Sequence, residues 1–328
     1  ASVYFVAYGL AQPLWGALAD RFGRVPVIRL TIAGGGIACV AAAAAPSLAV
    51  LLVARGLAGV FFAAIVPTSI TYTGDTVAED SRQHALALLM AAATGGTAVA
   101  TIVAGAVVQV AGWREPFLIS ALLAALLTVW MAALPEPPAV AATRTFLARA
   151  TGVLRDRWVY AVIAIAFVEG AVIFGALTFI AAALQEDGVA AALAGSAVAG
   201  FGIGNVVMTP LVTRAIPRLP SPVLIGGGAT VAAAGLLLAG LHLTVATAIV
   251  ATLTLGAGFG FLHSTLQLWA TQVHPTARAV TVSFFAGAVF TGGAVASALA
   301  APLADDGRFS AIFLACAAAA LALSLIHI

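Results

Sequence analysis

Charges and turn residues divide this chain into eleven apolar segments, and that division constrains its fold more than any other feature. The segments lie near 1–19, 25–45, 48–73, 84–109, 116–134, 158–184, 191–212, 223–241, 245–271, 279–303 and 309–326. Each is about 16 to 27 residues long; wound as a helix with a rise of about 1.5 Å per residue, such a segment spans the roughly 30 Å core of a bilayer. The connections Pro46–Ser47, Gly112–Glu115, Gln185–Ala190 and Leu243–Thr244 leave almost nothing outside. Membrane barrel strands run to about ten residues with alternating polarity, and no such pattern occurs here. The expected fold class is all-α and membrane-embedded, in keeping with a mean hydropathy of +1.14.

The basic residues then orient the segments. All 14 are arginines. Alternating spans place Arg21, Arg24, Arg29, Arg82, Arg144, Arg149, Arg155, Arg157, Arg214, Arg218 and Arg278 on one side. Arg114 and Arg308 fall on the other side, and Arg55 lies within a span. The positive-inside rule makes the richer side cytoplasmic, so residue 1 begins outside and the first helix runs inward. A net charge of +2 follows from this topology, and no nucleic-acid surface is implied. Without lysine there is no Walker A, Schiff-base or kinase-type lysine. HExxH and zinc-spaced Cys/His clusters are absent too, so no catalytic residue, metal or cofactor is expected. Cys39 and Cys316 both fall in apolar spans and suggest no disulfide framework.

An internal repeat organises the chain. Gly34-Gly35-Gly36 recurs as Gly226-Gly227-Gly228, and Thr94-Gly95-Gly96 as Thr291-Gly292-Gly293. Arg82 matches Arg278, and the turn Gly112-Trp113-Arg114 matches Gly307-Arg308. The offsets, 192 to 197, nearly coincide and the order is kept, which points to duplication. The helix at 158–184 opens the second copy, and its partner in the first copy would fall before residue 1. The chain therefore reads as a fragment that starts on its second helix. Its last six residues, 323–328, read as translated transposase adapter, with a genuine apolar helix end as the alternative.

Gly16-Ala-Leu18-Ala-Asp20-Arg21-Phe22-Gly23-Arg24, in the first cytoplasmic connection, resembles the G-x-L-a-D-R-x-G-R motif of the major facilitator superfamily. It departs mainly at Val25, where that family usually has a basic residue. Leu51-x3-Arg55-x3-Gly59 is similar to the family's helix 4 motif, with Ala58 in place of the common glutamine. Gly96-x3-Ala100-Thr101-x2-Ala104-Gly105 resembles the helix 5 antiporter motif, with Thr101 replacing proline. Leu134-Pro-Glu-Pro137 resembles the start of the family's central connection.

This resemblance implies twelve helices in two bundles. The N-terminal bundle would be 1–134 (helices 2 to 6), the linker 135–157, and the C-terminal bundle 158–328 (helices 7 to 12). It also implies a cytoplasmic latch in which Asp20 and the arginines hold the gate closed. Gly16 would allow close helix approach, Gly23 a tight turn, and Asp20 an interaction with a helix N-terminus. The alternative for Arg21 and Arg24 is that they only anchor topology.

Few polar groups lie within the spans. Glu169 is the only deep carboxyl, costly to bury, and expected either to exchange protons or to serve as a neutral structural acid. Arg55 suits an anionic substrate, a proton transfer or a structural pairing. Gly256, Gly260, His263 and Gln267 share one helical stripe, which makes His263 and Gln267 either cavity-lining or packed between helices. Asn205 and Gln12 are single intramembrane amides suited to interhelical hydrogen bonds.

The expected function is secondary transport by alternating access, as proton-coupled efflux of a small organic solute. A proton symporter for uptake is the nearest alternative; a membrane-embedded enzyme or receptor is the alternative from another class. The partners expected are the solute, protons and lipid, with no nucleic acid. The protein is expected to act as a monomer, multi-pass in the inner (cytoplasmic) membrane of a bacterium.

Overall fold

The computed structural model describes residues 2–137, 153, 155–274 and 278–325. Every regular element among them is helical. The helices are α1 (Ser2–Phe22), α2 (Arg24–Ala43), α3 (Leu48–Phe62), α4 (Ile65–Thr76), α5 (Glu79–Val110) and α6 (Glu115–Trp130), with a short 3-10 turn at Met131–Ala133. After the linker come α7 (Arg157–Glu186), α8 (Ala191–Ala215), α9 (Ser221–Leu241), α10 (Val245–Val273), α11 (Arg278–Asp305) and α12 (Phe309–Ser324). Arg144, Arg149, most of 135–157 and residues 326–328 lie outside the described residues.

The eleven expected segments correspond to these helices, with one correction. The segment at 48–73 is two helices, α3 and α4, separated at Ala63–Ala64. Pro67 has no N–H to offer the carbonyl of Ala63 four residues earlier, so the helical ladder breaks there. Counting α3 and α4 as one span, nine spans among the described residues are long and apolar enough to cross a membrane. At 16 residues α12 is shorter, and α1 carries Gln12 and Pro13 mid-helix.

Helix pairing reproduces the sequence duplication. In the first copy α2 packs on α3 and α6; in the second α9 packs on α10 and α12. The repeated glycine runs make these contacts. Gly34 and Gly35 face Phe61 and Phe62 of α3, and Gly36 faces Ala124 of α6. Gly228 faces Gly258 of α10, and Gly226 faces Ser324 of α12. The matched turn glycines agree as well: Gly112 has φ +118° and Gly307 φ +69°, both left-handed, each just before the next helix.

Two further contacts join helices across the linker, α1 with α11 and α5 with α8, and the repeat exchanges one pair for the other. Both are close backbone approaches at small residues. Gly9 lies against Gly287, and Gly105 against Ala191. Gly195 meets the Thr101 carbonyl, and Gly202 meets the Thr94 carbonyl.

Besides the break between α3 and α4, the copies differ at a second glycine pair. Gly292 and Gly293 of α11 press on Phe167 and Phe174 of α7. Their equivalents Gly95 and Gly96 of α5 meet nothing within 4 Å, nor do Gly16 of α1 and Gly74 of α4. The close approach expected at Gly16 is therefore not made by any described residue. The outer faces are strongly apolar: Leu10 is 64%, Ile37 71% and Val129 75% exposed, as suits lipid and not water.

Candidate functional site

Glu169 lies on α7, 12 residues beyond Arg157 at the helix start, and its side chain is wholly buried. The neighbouring glycine explains the depth. A Cβ on Gly170 would collide with the carbonyl of Val289, so α7 and α11 touch backbone to backbone beside Glu169. On α10 the glycine stripe acts similarly: Gly256 packs on the Phe201 carbonyl and Gly260 near Asn205 of α8. The same stripe carries His263, whose Nδ1 lies 3.0 Å from Glu169 Oε1.

The pair is asymmetric. His263 remains 24% exposed, whereas Glu169 is closed off at 0%. Glu169 Oε2 is buried without a hydrogen-bond partner among the described residues. The contact between Oε1 and Nδ1 offsets part of the cost of burying this carboxyl group.

Rings surround His263. Phe259 stacks on it with centroids 4.4 Å apart, and Phe285 lies at 5.1 Å. From Phe259 the rings continue to Phe174 at 5.8 Å, then to Phe290 at 5.4 Å. Phe290 meets Tyr8 of α1 at 4.4 Å, and Phe5 contacts both Phe174 and Phe290. An aromatic chain thus joins α10, α7 and α11 to α1 on the far side of the linker.

The other intramembrane polar residues stand apart from this pair. Gln267 is half-buried one turn beyond His263. Asn205 donates to Thr94 Oγ1 at 3.4 Å, linking α8 to α5. Gln12 is buried one turn beyond Tyr8 on its own helix. The Arg55 guanidinium lies over the rings of Tyr4, at 4.5 Å, and Phe117, at 5.4 Å. Cation–π contact therefore offsets part of its burial. On α5, Gly105 and the Thr101 carbonyl contact α8, while Gly96 does not. The small-residue motif of α5 thus serves helix packing along its second half.

At the junction of α1 and α2 the motif is mostly helical and not a loop. Gly16 to Phe22 complete α1, Gly23 alone makes the turn with φ +98°, and Arg24 opens α2. Arg24 pairs with Asp20 at 2.5 Å and with Asp75 of α4 at 3.2 Å. Arg21 lies over the Phe22 ring at the surface. Glu136 spans the turn, accepting from the backbone N–H of Arg24 at 2.5 Å and of Val25 at 2.7 Å. It neutralises two of the unpaired donors at the α2 N-terminus. The Tyr72 hydroxyl donates to the Pro135 carbonyl and fixes the same segment. Asp75 and Glu136 were not among the expected site residues. A sequence signal existed for each: Asp75 is an acid closing an apolar span, and Glu136 sits between two prolines.

This architecture has known relatives. The chain is 32% identical over 136 residues to a puromycin resistance protein of Streptomyces alboniger, a match covering 41% of this chain and 27% of that protein. It is 32% identical over 136 residues to a multi-drug resistance efflux pump of Streptococcus pneumoniae, covering 39% and 33%. A niacin transporter of Acinetobacter baylyi is 32% identical over 135 residues, covering 41% and 31%. These matches span about a third or less of each relative's length. Among solved structures, a nucleoside transporter superposes with TM-score 0.80 at 15% identity, covering 98% of this chain and 88% of that one. A D-xylose-proton symporter superposes with TM-score 0.76 at 16% identity, covering 99% and 84%. The family model described as Major Facilitator Superfamily matches residues 1–298. This multi-pass membrane chain therefore belongs to the Major Facilitator Superfamily, a family of transporters and not of enzymes.

Proposed function

We propose that the protein exports a small organic solute in exchange for protons, by rocking of two helix bundles, α1–α6 and α7–α12, about a central site. The observation that carries this reading is the Glu169–His263 pair, an acid buried mid-helix and able to carry one proton between the two sides. Efflux is favoured over uptake because two of the relatives described above are a resistance protein and an efflux pump. The Asp20–Arg24–Asp75 cluster and Glu136 form the cytoplasmic latch. We place the protein in the inner membrane of a bacterium, working as a monomer.

The test is flux in vesicles with an imposed pH gradient, using puromycin as solute and an internal pH dye. Exchange predicts puromycin and protons moving in opposite directions. Movement in the same direction would establish symport instead, and flux indifferent to the gradient would remove proton coupling.

A further inference from the structure

Glu169 is sealed from its surroundings, and the atom nearest to its carboxyl outside its own helix in the hydrogen-bond network is a ring nitrogen of His263. The imidazole is part-exposed and carries a second nitrogen, Nε2, on the side away from Nδ1. We infer that His263 is a proton relay, the residue through which Glu169 gains and loses its proton. The inference rests on the proton-coupled reading above and adds the path to it.

The step balances without any other reactant than water. In the loaded state Glu169 is a neutral acid whose Oε1–H donates to Nδ1, and His263 is neutral with its proton on Nε2. For release, the O–H bond at Oε1 breaks as an N–H bond forms at Nδ1, and the Nε2 proton passes to a water molecule. The products are a Glu169 carboxylate, a neutral His263 of the opposite tautomer, and one hydronium ion. Loading is the reverse. An imidazole suits this because its two nitrogens exchange donor and acceptor roles.

The surroundings fit a relay. The rings of Phe259 and Phe285 hold the imidazole, and a second hydrogen bond is not needed to orient it. The remaining charges on α7, α10 and α11 are Arg157, Glu186, His274, Arg278 and Asp305, all at helix ends. Neither α9 nor α12 carries an Asp, Glu, Lys, Arg or His, and α8 has only Arg214, in its last turn. Apart from the Cys316 thiol on α12, no further titratable group lies along the middle of these helices.

The experiment measures gradient-driven puromycin flux in vesicles for the unsubstituted protein, Glu169→Gln, His263→Ala and His263→Asn. Unsubstituted flux that ignores the gradient would remove the coupling itself, and the relay with it. With coupling present, both histidine variants should be slowed about a hundredfold or more, a general acid–base effect at its lower end. Solute exchange at equal concentrations and without a gradient should persist in both. Added imidazole should restore flux to His263→Ala by occupying the vacated space and carrying protons. Pyrazole, of the same shape but a far weaker base, should not. His263→Asn keeps a donor near the Nδ1 position and guards against loss of folding. Full gradient-driven flux in either variant overturns the relay while leaving proton coupling standing. Equal rescue by pyrazole also overturns it, because it would show a space-filling role.

Discussion

Replacing Glu169 by glutamine keeps the volume of a wholly buried side chain and removes its exchangeable proton. Glu169→Gln should therefore fold, lose gradient-driven accumulation and retain exchange without a gradient. Accumulation equal to the unsubstituted protein would place coupling on another group. At the latch, Asp20→Asn removes one of the two carboxylates on Arg24, and Glu136→Gln weakens the cap on α2. If these contacts hold the cytoplasmic side closed, each variant should raise labelling of cytoplasmic-side cysteines, with about 1–3 kcal/mol of coupling lost. Unchanged labelling in both would leave the cluster a structural clasp. The candidate residues were partly legible in the sequence. Glu169 and His263 stand out by polarity within apolar spans, yet 94 positions separate them, and only the packed structure shows that they meet. Arg24 was visible as part of a motif and Asp75 as an acid closing an apolar span, but their pairing across 51 positions was not.

The helices themselves were far more legible, because hydrocarbon leaves the backbone no partner but itself and so fixes length and type. What the pattern could not show was the break at Ala63–Ala64, where the cause is one missing N–H in an otherwise apolar run. Nor could it show how far α5 extends at its N-terminal end. That helix begins at Glu79, with Glu79 and Asp80 in a first turn that favours acids. The repeated glycines allow a comparison between elements. Gly292→Ala sets a methyl group into the Phe167 carbonyl, and Gly170→Ala one into Val289. Overpacking of this kind typically costs about 1–3 kcal/mol, so both should lower the melting temperature of the purified protein. Gly95→Ala and Gly96→Ala meet only open space in this chain and should leave it unchanged or slightly raised. Similar losses at all four positions would mean that the α5 face is covered after all.

For the whole molecule, the pairings α1 with α11 and α5 with α8 carry the contact across the linker. Rocking requires both to change along their length. Cysteines at Gly105 and Ala192 should test this, since Ala192 Cα lies 3.3 Å from where a Cβ on residue 105 would sit. Under oxidation the pair should cross-link and stop flux, and a reductant should restore it. Continued flux in the cross-linked protein would exclude separation of α5 and α8 at that end. The same contacts have a mechanical consequence. Gly9 on Gly287, Gly195 on Thr101 and Gly202 on Thr94 are smooth backbone contacts, with the Tyr8–Phe290 rings and the Asn205–Thr94 hydrogen bond beside them. Pro13 leaves the Gly9 carbonyl without its helical donor at the point where it faces Gly287. Such a joint behaves as a plain bearing: it resists compression, because backbone is already on backbone, but offers little friction to sliding or rolling. Roughening it with single methyl groups should then slow turnover without altering which solute is bound.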